Sequence, residues 1–144
     1  MTANAIVVVA AVIERSDRRL LIGQRRRGDT SPLKWEFPGG KVKPGETDEG
    51  ALARELREEL GVTLLKSVPI ARVIHKYGET ATPLEIRFFA AALESTEICP
   101  AAFEQVAWAL PRELSEYDFL AANRELVGNL ATGKIKPTDL LADH

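Results

Sequence analysis

Glu55, Glu58 and Glu59 place three carboxylates at i, i+3 and i+4 inside the heptapeptide RELREEL, residues 54–60. An α-helix turns by about 100° per residue, so the three would share one face. Leu52, Leu56 and Leu60 recur every four residues and form the adjoining apolar stripe. The carboxylates therefore border the buried edge of a helix rather than its solvated back. As a helix surface the stretch is poorly tuned. Glu55–Glu59 and Glu55–Glu58 are like-charge pairs costing about 0.2–0.5 kcal/mol each, and Arg54–Glu58 runs in the weaker order, with the cation N-terminal. A bound divalent cation would turn this repulsion into attraction. The competing reading is an ordinary solvated charge run.

The elements that must position these groups follow from the rest of the chain. At 144 residues with 45% hydrophobic side chains, the sequence reads as one domain, residues 1–144, able to bury a core without staples. AIVVVAAVI (5–13) reads as a buried strand, too short to span a bilayer, with no basic residue before it and no secretory cleavage pattern after it. RSDRR (15–19) is a turn signal, LLIGQ (20–24) a second strand and QRRRGDTSP (24–32) a cationic loop. WEFPGGKVKPGE (35–46) reads as mostly loop after a short extended piece. Thr47 is an N-cap with Asp48 and Glu49 in the first turn, and the helix runs to Leu60 with Gly61 as its stop. Residues 62–77 and 84–93 read as strands joined by a hairpin loop over 78–83, and 106–110 as a short strand. A helical turn opens at Pro111, and a second long helix spans 118–130. The tail, 134–144, reads as loose. The order strands, helix, strands, helix indicates an α/β domain with a mixed sheet covered by helices.

Composition removes several classes. A net charge of −2 gives no support for binding a nucleic-acid polymer or an anionic membrane. A single cysteine, Cys99, excludes an intrachain disulfide and a cysteine metal cluster, and fits a reducing compartment. The expected location is cytoplasmic.

Reading outward from RELREEL, Gly40 is followed after five residues by Glu46, and after seven more by Arg54-Glu55-Leu56, then Arg57, Glu58-Glu59, Leu60, Gly61 and Val62. This resembles the Nudix box of the Nudix hydrolase superfamily at every defined position. WEFPGGKVKPGET is similar to the approach to the box in the MutT-like branch, and the resemblance covers about residues 5–131. It implies an α/β/α sandwich in which the box forms a loop–helix–loop. It further implies that Glu55, Glu58, Glu59 and the backbone carbonyl of Gly39 hold a metal ion, that Arg54 and Glu46 orient the ligands and loop, and that Gly40, Gly45 and Gly61 shape the backbone. Carboxylate oxygens suit Mg²⁺, with Mn²⁺ an alternative. The general base implied is Glu58 first and Glu104, four residues before Trp108, second. MutT-like relatives tend to carry an acidic residue or histidine slightly upstream of Glu104, where this chain has Ala102 and Phe103.

The branch implies a small nucleotide substrate, with a homodimer left open. Arg25 corresponds to a substrate-contacting arginine, Phe37 to a wall of the base pocket and Asn123 to a purine-reading asparagine. The competing readings are a solvated charge, a core aromatic and an exposed mid-helix asparagine. His75 and Tyr77 lie near a loop and are read as structural first. An amide offers one donor and one acceptor. Normal guanine presents two acceptors, O6 and N7. Oxidation at C8 turns N7 into a donor, so 8-oxo-dGTP matches Asn123. Adenine and cytosine also offer mixed pairs. The expected activity is cleavage of 8-oxo-dGTP to the monophosphate and pyrophosphate. Hydrolysis of CTP or modified dCTP is the alternative, followed by a non-catalytic nucleotide-binding module.

Overall fold

The computed structural model describes residues 5–76 and 82–142. Its first two strands are β1 (Ile6–Ile13) and β2 (Leu20–Gln24), joined by the expected turn. Two short strands follow, β3 (Trp35–Glu36) and β4 (Gly39–Lys41), and then helix α1 (Asp48–Leu60). The later strands are β5 (Leu64–His75), β6 (Leu84–Leu93) and β7 (Gln105–Ala109). Helices α2 (Arg124–Ala131) and α3 (Pro137–Ala142) close the chain.

The strands form two sheets. One is mixed, in the order β4-β1-β6-β5, with β1 and β6 parallel and the other pairs antiparallel. The other is antiparallel, β3-β2-β7. Successive residues of a strand point to opposite faces. Val9, Ala11 and Ile13 of β1 accordingly pack with Leu52, Leu56 and Leu60 of α1, while Ala10 and Val12 pack with Leu126 and Leu130 of α2. A strand buried on both faces has no polar alternation, which is why 5–13 is almost wholly apolar. The result is an α/β/α sandwich.

Helix α1 has the caps its sequence announces. Thr47 Oγ1 accepts from the N–H of Gly50 at 3.0 Å. Gly61 turns left-handed (φ 67°) and its N–H returns to Arg57 O. Three expectations need correction. The stretch 35–46 contains two strands rather than one extended piece, because Gly39–Lys41 pairs with Val8–Ala10 of β1. The helix expected over 118–130 begins only at Arg124, after a single 3-10 turn at Ala121–Asn123. Residues 118–120 are extended instead: Trp35 N–H donates to Asp118 O, and Leu120 N–H to Trp35 O. The tail is not loose throughout, since Pro137 starts α3 with its ring buried, Thr138 donates to Glu14, and Lys66 Nζ donates to Leu141 O. Tyr77 and most of the expected 78–83 loop fall outside the described residues.

Candidate functional site

The leucine stripe sets the azimuth of α1. With Leu52, Leu56 and Leu60 fully buried, Glu55 and Glu59 are turned to the helix edge beside β4, and Glu58 toward water. Side-chain exposure is 15% for Glu55 and 56% for Glu58, so only the latter is open to bulk solvent. Arg54 ties the group together. Its Nε meets Glu46 Oε2 at 2.6 Å and its Nη2 meets Glu46 Oε1 at 2.9 Å. Nη1 reaches Glu55 Oε1 at 2.8 Å and Glu58 Oε2 at 3.2 Å, and Nη2 also donates to Lys41 O at 3.0 Å. The hydrogen bonds from Arg54, helped by the Lys43 N–H, hold the Glu46 carboxyl down at about 2.

Glu59 is the opposite case. Burial, then the neighbouring charge of Glu55, pushes its carboxyl up to about 8, against the pull of one hydrogen bond from the Gly39 N–H at 2.9 Å. That N–H is available for a geometric reason. In the antiparallel β1–β4 ladder, Ala11 N–H donates to Pro38 O and Val42 N–H to Val7 O. Alternation then puts the Ala10–Gly39 pair in the non-hydrogen-bonded register, so both backbone groups of Gly39 point away from β1. Gly39 admits no side chain, since a Cβ there would lie 1.9 Å from Val9 O, whereas a Cβ on Gly40 would lie 2.4 Å from Glu55 Cδ and would fit only by displacing that carboxylate.

Among the described residues no three His, Cys, Asp or Glu side chains converge as a ready metal cluster. Glu55 and Glu58 are turned to Arg54, and Glu59 to Gly39. The donor set nevertheless fits a hard divalent cation. A Glu59 carboxyl raised by burial and in part by the charges of Glu55 and Glu58, beside a main-chain carbonyl outside the ladder, belongs to an oxygen ligand set short of positive charge.

A cleft of about 570 Å³ adjoins this edge. Gly39, Gly40 and Glu59 line it, together with three residues singled out in the sequence, Arg25, Phe37 and Asn123. Glu55, Glu58 and Glu104 are not part of the lining; Glu104 is exposed, and its N–H donates to Gln24 O at 2.8 Å. Arg25 is not a solvated charge. It donates to Thr30 O at 2.7 Å, Thr30 Oγ1 at 3.0 Å and Glu36 Oε1 at 3.1 Å, bracing the 25–34 loop. Phe37 is both core and wall: it is buried, stacked on Phe119 at 5.5 Å between ring centroids, and lines the cleft. His75 ends β5.

Asn123 is neither mid-helix nor exposed. It stands at the N-cap position of α2, 4% exposed, without capping the helix through its side chain. None of the described residues hydrogen-bonds its amide. No fully buried side-chain polar atom among them lacks a partner, so the amide atoms reach the cleft surface. Sequence reasoning missed Glu36 as a cleft residue. Its carboxyl is raised by burial despite the Arg25 ion pair. No short sequence signal announced it, because the fold decides which side of β3 faces the cavity.

The NUDIX domain family matches residues 4–130. The chain belongs to that family. This Nudix hydrolase is 33% identical over 143 residues to the CTP pyrophosphohydrolase of Escherichia coli (strain K12), covering 93% of this chain and 98% of the relative. It is 39% identical over 77 residues to the 8-oxo-dGTP diphosphatase of Haemophilus influenzae, covering 54% of this chain and 57% of the relative. Among solved structures it resembles a MutT from work on Aliivibrio salmonicida and Vibrio cholerae. The TM-score is 0.76 at 29% identity, over 90% of this chain and 99% of that one. Nudix hydrolases generally need divalent metal ions and act on small nucleotide substrates.

Proposed function

We propose that this Nudix hydrolase is a Mg²⁺-dependent nucleoside triphosphate pyrophosphohydrolase that cleaves 8-oxo-dGTP to the monophosphate and pyrophosphate. The observation that carries the base assignment is the amide of Asn123, a residue 4% exposed, which opens on the cleft shared with Gly39 and Glu59 and has no partner among the described residues. A buried amide is normally hydrogen-bonded, so a ligand edge is its natural complement. Its oxygen accepts from N7–H of the oxidised base while its nitrogen donates to O6.

Glu55, Glu58, Glu59 and the Gly39 carbonyl would hold the metal ion, which would supply charge neutralisation at the diphosphate and a more acidic water. Arg54, anchored by Glu46, keeps Glu55 and Glu58 directed along the helix edge. Glu58, the exposed carboxylate, accepts the proton of the attacking water at its Oε atoms. Glu104 is the second choice: it stands beside Gln24 of β2, whereas Glu58 shares Arg54 with Glu55 on the helix that carries the other carboxylates. Arg25 contacts the substrate by exchanging a Thr30 or Glu36 partner, and Phe37 walls the base.

Cleavage of CTP or modified dCTP is the second reading. It is favoured by the relative named for CTP, which matches over almost the whole chain, and by the mixed donor–acceptor edge of cytosine. A purely binding module is disfavoured by the complete set of box carboxylates. The test is kcat/KM with Mg²⁺ across 8-oxo-dGTP, dGTP, CTP and 5-substituted dCTP. The proposal expects 8-oxo-dGTP to lead; a lead by CTP or a modified dCTP replaces it with the second reading.

A further inference from the structure

The segment between β6 and β7, residues 94–104, has no regular structure, yet it is pinned on both sides of one aromatic residue. Cys99 N–H donates to Leu60 O at 2.7 Å and Ala101 N–H to Glu59 O at 3.0 Å, using carbonyls at the C-terminal end of α1. Arg26 donates to Ala101 O from the 25–34 loop, and Glu104 N–H donates to Gln24 O on β2. Between these anchors Phe103 is 8% exposed and lines the cleft. Its ring lies against the main chain of Gly23, where an added Cβ would meet ring carbons Cδ1 and Cε1 at 2.4 Å. A glycine inside a strand weakens it unless something must approach closely, and here the approaching group is this ring. Gly23 pairs with Glu36, so the ring occupies the same side of the sheet as a cleft carboxyl. Phe103 is thus part of the core cluster beneath α1 and of the cavity lining at once, its ring fixed from behind by backbone and core, which makes its cavity edge a preorganised contact surface.

We infer that Phe103 is a substrate-binding residue of this hydrolase, an aromatic wall that contacts the nucleoside part of the substrate and sets its affinity without taking part in the phosphate chemistry. The inference rests on the nucleotide reading above. Contact between an aromatic ring and a nucleoside tolerates different bases and changes affinity by about tenfold or more on truncation. The wall therefore strengthens binding generally, and Asn123 does the selecting.

The experiment measures dissociation constants of 8-oxo-dGMP, CMP and pyrophosphate by calorimetry, with Mg²⁺ present, for the wild type, Phe103→Leu and Phe103→Tyr. Steady-state kinetics are run on the same proteins. Phe103→Leu should weaken nucleoside monophosphates about tenfold while pyrophosphate binding is unchanged. KM should rise while kcat stays within about twofold, the signature of lost uniform binding. Phe103→Tyr, which keeps the ring, should bind like the wild type. Gly23→Ala should reproduce the loss by displacing the ring, and if that variant fails to fold, Phe103→Leu alone decides. Unchanged monophosphate affinity in Phe103→Leu overturns the inference, as does an equal loss of pyrophosphate binding. A wild type that binds monophosphates without hydrolysing triphosphates removes the catalytic reading and leaves the wall testable. A wild type that binds no nucleotide overturns both.

Discussion

Gly40→Ala is the sharpest perturbation available, because it adds one methyl group and removes no functional atom. The new Cβ would stand 2.4 Å from Glu55 Cδ, 2.5 Å from Oε2 and 2.6 Å from Oε1. Ordinary contact begins near 3.4 Å, so the carboxylate must retreat by about 1 Å. Glu55 is the end of a flexible side chain, 15% exposed, and it can move. The fold should lose little, about 1 kcal/mol for a loosened charge-assisted bond to Arg54. Catalysis should lose far more, since a 1 Å misplacement in an active site costs about 10²-fold. The assay is pyrophosphate release across a Mg²⁺ series, with thermal melts alongside. The expected result is a nearly unchanged melting temperature and kcat/KM about 100-fold lower, with the Mg²⁺ midpoint shifted upward. Gly28→Ala, where an added Cβ meets nothing within 4 Å, is the neutral control. A Gly40→Ala enzyme with normal kcat/KM and normal Mg²⁺ dependence would refute the placement of Glu55 at the metal.

Three further outcomes follow from the same geometry. Glu58→Gln should lower kcat at least about 10²-fold, the scale of a lost general base, and keep its melting temperature; near-normal turnover would return RELREEL to a solvated face. Asn123→Ala should lower kcat/KM for 8-oxo-dGTP more than for dGTP, because it removes the mismatch that rejects normal guanine, worth about 1–3 kcal/mol; an unchanged ratio between the two substrates sinks the base assignment. In chelator, Glu59 holds a proton in the folded state up to about pH 8, whereas the unfolded chain releases it near the ordinary 4.5. Stability should therefore fall as pH rises from about 4.5 to 8, a slope that Glu59→Gln flattens and Mg²⁺ reverses; melts with the same slope in wild type and Glu59→Gln would contradict it.

Much of this arrangement was legible in the sequence because local chemistry agreed with tertiary need. Thr47, Leu52, Leu56, Leu60 and Gly61 each specify a cap, a buried face or a stop, and α1 has the expected bounds. What escaped was set by distant partners. Gly39–Lys41 has no strand propensity and becomes β4 only because β1 offers an edge. Phe119 fits a helical pattern, but the 118–120 backbone is claimed by Trp35. The tail becomes helical where Glu14 and Lys66, far away in sequence, receive it. In the site, the carboxylate spacing pointed to a divalent cation, which Nudix hydrolases generally need, whereas the cleft role of Glu36 depends on which side of β3 faces the cavity, and no short window of sequence carries that.

The central claim is that these carboxylates serve metal-dependent cleavage of a nucleoside triphosphate. It is tested most directly by incubating the purified protein with 8-oxo-dGTP, with and without Mg²⁺, and quantifying pyrophosphate, orthophosphate and monophosphate. The account predicts equal amounts of monophosphate and pyrophosphate, formed only when Mg²⁺ or Mn²⁺ is supplied. Full activity in excess chelator, or orthophosphate as the released product, would contradict it.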